Sequence, residues 1–111
     1  MRRFRIGNNI QVNWNVKKNG VDADFSNKTV KVFMTHPRGR EEVDDVTVNG
    51  SVVSFTFPGL KQSVLGSYTL TVDARYEDGE RYLIKDKCAA FCLVGHSCAE
   101  NDEDTDYVVD L

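Results

Sequence analysis

Gly66-Ser67-Tyr68-Thr69-Leu70-Thr71-Val72-Asp73-Ala74-Arg75-Tyr76 carries the clearest conformational signal in the chain. Tyr68, Leu70, Val72, Ala74 and Tyr76 share one parity, and Thr69, Thr71, Asp73 and Arg75 share the other. Alternation with period two places the apolar side chains on one face of a pleated strand, so this stretch is expected as a half-buried β-strand. Asp78-Gly79 supplies a hairpin turn into Tyr82-Leu83-Ile84. Ala89 to Val94 is apolar on both faces through Phe91, Cys92, Leu93 and Val94, as an interior strand would be.

Toward the N-terminus the same pattern repeats. Val53, Phe55 and Phe57 alternate with polar residues and follow Asn49-Gly50, whose two residues tolerate the positive φ of a type I′ hairpin turn. Glu41 to Val48 reads as a weaker, charged strand, with a change of parity between Val43 and Val46 that suggests a bulge. Lys28 to His36 is a strand with Val30, Val32 and Met34 on one face, stopped by Pro37-Arg38-Gly39. Ile10, Val12, Trp14 and Val16 alternate with amide side chains, Lys17-Lys18-Asn19-Gly20 is a turn, and Phe25 in the following loop is expected to plug the core. No apolar stripe at helical spacing runs for ten residues.

These readings predict an all-β fold: an immunoglobulin-like antiparallel β-sandwich of about seven strands over residues 1–95, followed by an extended acidic tail over 96–111. The 111 residues suffice for one core, and the 41% hydrophobic and 28% charged fractions are those of a globular protein. No apolar run is long enough for a membrane span, and the basic start is followed by Asn8, Asn9, Gln11 and Asn13 where a signal peptide needs continuous apolar residues. Neither export nor membrane anchoring is therefore expected.

The net charge of −3 is unevenly spread. Residues 1–99 hold fourteen Lys and Arg against eleven acids, whereas Glu100 onward holds six acids and no base. Such a tail repels phosphates, so no nucleic-acid partner is expected, and no membrane partner either. Its last residues, Tyr107, Val108, Val109 and Leu111, are less charged, and they are the candidates for adding as a strand to a neighbour's sheet. A disordered tail is the competing reading.

Catalytic machinery is not expected. His36 and His96 are the two imidazoles, and His36 precedes Pro37 in a turn, where a surface histidine is the plain reading. Cys88, Cys92, His96 and Cys98 are ligand types for zinc, but C-x3-C inside an apolar strand is poor zinc spacing, and no metal or cofactor is expected. In one extended strand Cys88 and Cys92 stand about 13 Å apart, beyond a disulfide's reach. Three cysteines, none evidently paired, fit a reducing compartment. Glu41-Glu42 and Asp44-Asp45 lack the loop of a calcium hand and fit a charged edge that discourages aggregation.

Gly66-Ser67-Tyr68 resembles the tyrosine corner of immunoglobulin-like domains, in which a Tyr near the start of the sixth strand bonds back to the preceding loop. The order of features across residues 4–94 also resembles the N-terminal immunoglobulin-like domain of phage baseplate upper proteins and related tail or fibre attachment modules. The points of likeness are the Lys-Asn-Gly turn, the loop around Val21 to Phe25, Val30-Lys31-Val32-Phe33 before Pro37-Arg38-Gly39, Val53-Ser54-Phe55, Gly66-Ser67-Tyr68, Asp78-Gly79 and Ala90-Phe91-Cys92-Leu93-Val94. The resemblance implies a non-catalytic structural protein located in a virion, or in the bacterial host cytoplasm during assembly, whose partners are other virion proteins or itself, as a homo-oligomer. An alternative is a cell-surface or carbohydrate-binding module, for which Tyr76, Tyr82 and Tyr107 are the aromatic candidates.

Overall fold

A computed structural model describes residues 2–95 and 106–111. Over these residues the chain is all-β, with a single 3₁₀ turn at Gly59–Lys61. Its strands are β1 (Arg3–Arg5), β2 (Ile10–Asn15), β3 (Lys17–Lys18), β4 (Val21–Asp22), β5 (Thr29–His36), β6 (Gly39–Glu42), β7 (Thr47–Asn49), β8 (Val52–Phe57), β9 (Gly66–Arg75), β10 (Arg81–Val94) and β11 (Tyr107–Asp110). One sheet has the order β1-β10-β9-β5-β6 and another the order β11-β2-β8-β7, while β3 and β4 form a small hairpin.

The alternation in the sequence becomes the inner faces of these two sheets. Val32 and Met34 of β5, Leu70, Val72 and Ala74 of β9, and Phe91 and Leu93 of β10 meet Ile10, Val12 and Trp14 of β2 and Val53, Phe55 and Phe57 of β8 in one buried cluster. The arrangement is sandwich-like, and Phe25 plugs it as expected.

Four expectations are corrected. The sheets are mixed, not purely antiparallel, because β1 runs parallel to β10 and β11 parallel to β2. The single charged strand expected over Glu41 to Val48 is two strands in different sheets: β6 pairs with β5, β7 pairs with β8, and residues 43–46 cross between them. Tyr82-Leu83-Ile84 and Ala89 to Val94 are one strand, interrupted by an irregularity between Lys87 and Phe91 where Ala89 takes φ 50°. The division into a body of residues 1–95 and a separate tail also fails, since β11 belongs to the second sheet.

The turn expected at Asn19-Gly20 is present, whereas the type I′ turn expected at Asn49-Gly50 is not. Asn19 and Gly20 both have positive φ, 53° and 81°, and join β3 to β4 as a two-residue type I′ loop does. Asn49 is instead the last paired residue of β7, opposite Val52, so the loop is Gly50-Ser51 and Gly50 alone has positive φ. That is the pattern of a II′ turn.

Exposed sheet edges are blunted. β6 is charged at Arg40, Glu41 and Glu42, and β7 is three residues long. β1 covers β10 only at Cys92–Val94; beyond it Lys85 and Lys87 pair with Val72 and Leu70, which places both lysines on the inward parity of an edge. On β11 the guanidinium of Arg2 donates to the Val108 carbonyl at 2.9 Å.

Candidate functional site

The terminal segment nominated for docking is a strand of this chain's own fold. Its alternation is that of any half-buried strand: Tyr107 and Val109 point inward and are each 1% exposed, while Val108 and Asp110 point outward. Tyr107 stacks on Phe4 with ring centroids 4.4 Å apart, and its hydroxyl accepts a hydrogen bond from the Arg5 amide at 3.0 Å. Leu111 is half-buried; its amide donates to the Asn13 carbonyl at 2.7 Å and its carbonyl accepts from the Asn15 amide at 3.0 Å. Asn13 also donates to the Asp110 carboxylate at 2.9 Å. Of the four nominated residues, Val108, 52% exposed, alone offers an apolar outward surface.

The place beside β2 is therefore a strand-shaped slot that takes two inward side chains, Tyr107 opposite Ile10 and stacked on Phe4, and Val109 opposite Val12. β1, which builds one wall of it, escaped the sequence reading. The signal was Arg3-Phe4-Arg5-Ile6, an alternation too short to stand out beside the basic N-terminus.

β1 and β2 are joined across the edge of the sandwich by residues 6–9, and that crossing is pinned from outside. The Gly7 amide donates to Gln62 Oε1 at 2.8 Å, Gln62 Nε2 donates to the Asn8 carbonyl at 2.8 Å, and the Gly59 amide donates to Asn9 Oδ1 at 2.9 Å. Gly59 lies so close that a Cβ there would stand 1.9 Å from the Gly7 carbonyl oxygen.

Opposite this flank, where residues 43–46 cross between the sheets, a half-open cleft of about 410 Å³ has Met34, Phe55 and Phe57 on its floor and Glu41, Glu42, Asp44 and Asp45 around it. Among the described residues no three His, Cys, Asp or Glu side chains converge as metal ligands. His96 and Cys98 of the zinc comparison lie outside the described residues, while Cys88 is exposed and Cys92 half-buried, both unpaired.

His36, expected at the surface, is mostly covered, with 11% of its side chain exposed. Its ring lies 5.4 Å from that of Tyr68, its Nδ1 accepts from the Arg38 amide, and its Nε2 is 3.8 Å from Glu41. The Tyr68 hydroxyl donates to the Val64 carbonyl at 2.7 Å, the backward bond that the sequence suggested. Burial, with Glu41 nearby adding to it, pushes the Tyr68 phenol up to about 12.

The aromatic candidates for sugar binding divide. Tyr82 is structural: its hydroxyl accepts from the Asp24 amide at 2.9 Å, and Lys18 and Lys28 lie over its ring at 4.1 and 4.3 Å. Tyr76 meets it edge-on at 5.5 Å and remains 44% exposed beside a groove shared with Lys31, Phe33 and Arg75. On the β3–β4 hairpin, hydrogen bonds from Lys17 and Asn15 hold the Asp22 carboxyl below the usual range, as those from Ser26 hold that of Asp24. No helix among the described residues is long and apolar enough to cross a membrane. No family model, no curated protein and no solved structure matches the chain.

Proposed function

We propose that this chain is a non-catalytic adaptor built on an immunoglobulin-like sandwich, a structural component of a phage or prophage virion that acts by protein-protein assembly in a baseplate, tail or fibre. The observation that carries the fold part is the Tyr68 to Val64 bond at the head of β9. Strand order supports it: β2, β8 and β7 stand as the second, fifth and fourth strands of such a domain, and β10, β9 and β5 as its seventh, sixth and third. β11 then stands beside β2, where an immunoglobulin-like domain has its first strand. The functional part rests on the likeness of residues 4–94 to phage attachment modules. Mass spectrometry of purified particles from a host carrying the gene tests it. The chain is expected at fixed stoichiometry with tail proteins, and its absence from particles while present in the lysate ends the reading.

The carbohydrate-binding alternative has one observation in its favour, the exposed ring of Tyr76 beside its groove. A glycan array is expected to give no signal that Tyr76→Ala removes; such a signal would favour this alternative.

A further inference from the structure

At the flank that holds the termini, two pairs of strand ends face each other across the sandwich. β1 lies parallel to β10, with Arg5 opposite Val94, and β2 lies parallel to β11, with Ile10 opposite Tyr107. The step from β1 to β2 and the step from β10 to β11 therefore bridge nearly the same gap. Residues 6–9 bridge the first, so the gap is at most about 17 Å at the full extension of a chain. Residues 95–106 bridge the second, twelve residues where four suffice, with a contour of about 40 Å.

That surplus length ends in β11, a terminal edge strand whose place a second copy's β11 could take without new contacts. Within its sheet β11 is bonded to β2 alone, through a four-residue ladder, and it buries Tyr107 and Val109. Vacating the slot would open Phe4, Ile10 and Val12 to water, so it demands an occupant. The remaining edges are blunted by charge, shortness or inward lysines.

We infer that the slot beside β2 accepts β11 of a second copy, so that copies are linked by exchanged C-terminal strands. The inference rests on the assembly reading above and names the partner as another copy of this chain. Exchange keeps every contact of the slot and changes only which copy supplies the strand, a low-cost route to association. It competes with closure within one chain at an effective concentration on the order of millimolar. Exchanged forms therefore accumulate where copies are crowded, as in a growing particle, and dilution returns the closed monomer.

The test uses the full chain with Cys88, Cys92 and Cys98 replaced by Ser. Gln11 and Val108 are register partners, and Val108 faces solvent. Q11C and V108C are made in separate chains, mixed, incubated and treated with a short bis-maleimide, while a Q11C/V108C chain, crosslinked within itself, confirms the geometry and the fold. Crosslinked heterodimer is expected at about 1 mM total chain and at least tenfold less at about 10 µM. Deleting residues 97–104 leaves four bridging residues, as many as join β1 to β2; that variant is expected to melt like the full chain and to lose the heterodimer at least tenfold. No heterodimer at 1 mM while the double variant crosslinks internally overturns the inference. Equal heterodimer from the shortened chain overturns it too, because surplus length would then not deliver the strand. Failure here leaves the adaptor reading standing, whereas absence of the chain from particles ends that reading even if strands exchange in solution.

Discussion

The two flanks of this molecule face the same difficulty and meet it by opposite means. Wherever two sheets pack, their sides expose apolar residues and unpaired backbone groups. On one flank the termini close the gap: β1 and β11 add a strand to each sheet, Phe4 and Tyr107 stack between them, and the Arg5 amide bonds the Tyr107 hydroxyl. On the other, residues 43–46 cross over an open cleft whose rim is acidic. The first flank is held by burial, so its failure costs stability. The second is kept by charge, so its failure should cost solubility.

The largest expected effect lies on the closed flank. Tyr107→Ala removes a ring that is 1% exposed and leaves Phe4 without its stacking partner, so a loss of about 3–5 kcal/mol is expected in urea unfolding followed by Trp14 fluorescence. A loss under 1 kcal/mol would mean that β11 is not part of the folded body. Next comes Gly59→Ala, at about 2–3 kcal/mol, because the added Cβ meets backbone at 1.9 Å and the crossing it presses on is held by three hydrogen bonds. A neutral result would show that residues 6–9 can shift freely, and the rigid character assigned to this flank would fall.

Tyr68 reports from the acidic side, beside His36 and Glu41. Its phenol titrates near 10 in the unfolded chain and near 12 in the fold, so the folded state holds the proton longer. Stability from this group is whole below pH 10 and is lost as pH rises through 12, by about 3 kcal/mol. Tyr68→Phe should cost about 1 kcal/mol at neutral pH through the bond to Val64, and the gap to the parent should shrink or reverse by pH 12. A gap unchanged between pH 9 and 12 would remove Tyr68 as the alkaline-sensitive group.

The flanks also differ in how far they could be read from sequence. Strands β2, β5, β8 and β9 were legible because each alternates over several residues with its own turn signals, and the Tyr68 corner was legible because Gly66 precedes it in a strand head. β1 and β11 are three and four residues long, and their partners lie far along the chain, Phe4 beside Leu93 and Tyr107 beside Ile10. Nothing local distinguishes such a strand from a tail, although Tyr107 and Val109 on one parity were a trace of it. The split of residues 39–49 was hidden for another reason: charged side chains at 40–42 and 44–45 carry no preference for either sheet, and the strands they pair with, at Phe33 and Val53, lie outside the segment. Asn49-Gly50 misled because hairpin register is set by strand pairing as well as by turn propensity, and Val48 opposite Val53 leaves Asn49 inside the ladder.

The smallest effect tests the other half of the comparison. Glu41 and Glu42 lie on β6, exposed, at the edge of the five-stranded sheet, with Glu42 opposite Phe33. Neutralising exposed carboxylates changes little burial, so Glu41→Thr with Glu42→Val should shift unfolding free energy by less than about 0.5 kcal/mol. The same change turns a charged edge into a β-prone one with free amides and carbonyls, next to a cleft with an apolar floor. Self-association by dynamic light scattering should therefore rise while the melting temperature stays put. A drop of more than 1 kcal/mol without association would reverse the assignment, making the acids part of what holds the fold. Unchanged solubility would mean that the crossing at 43–46 shields the edge by its shape and not by its charge.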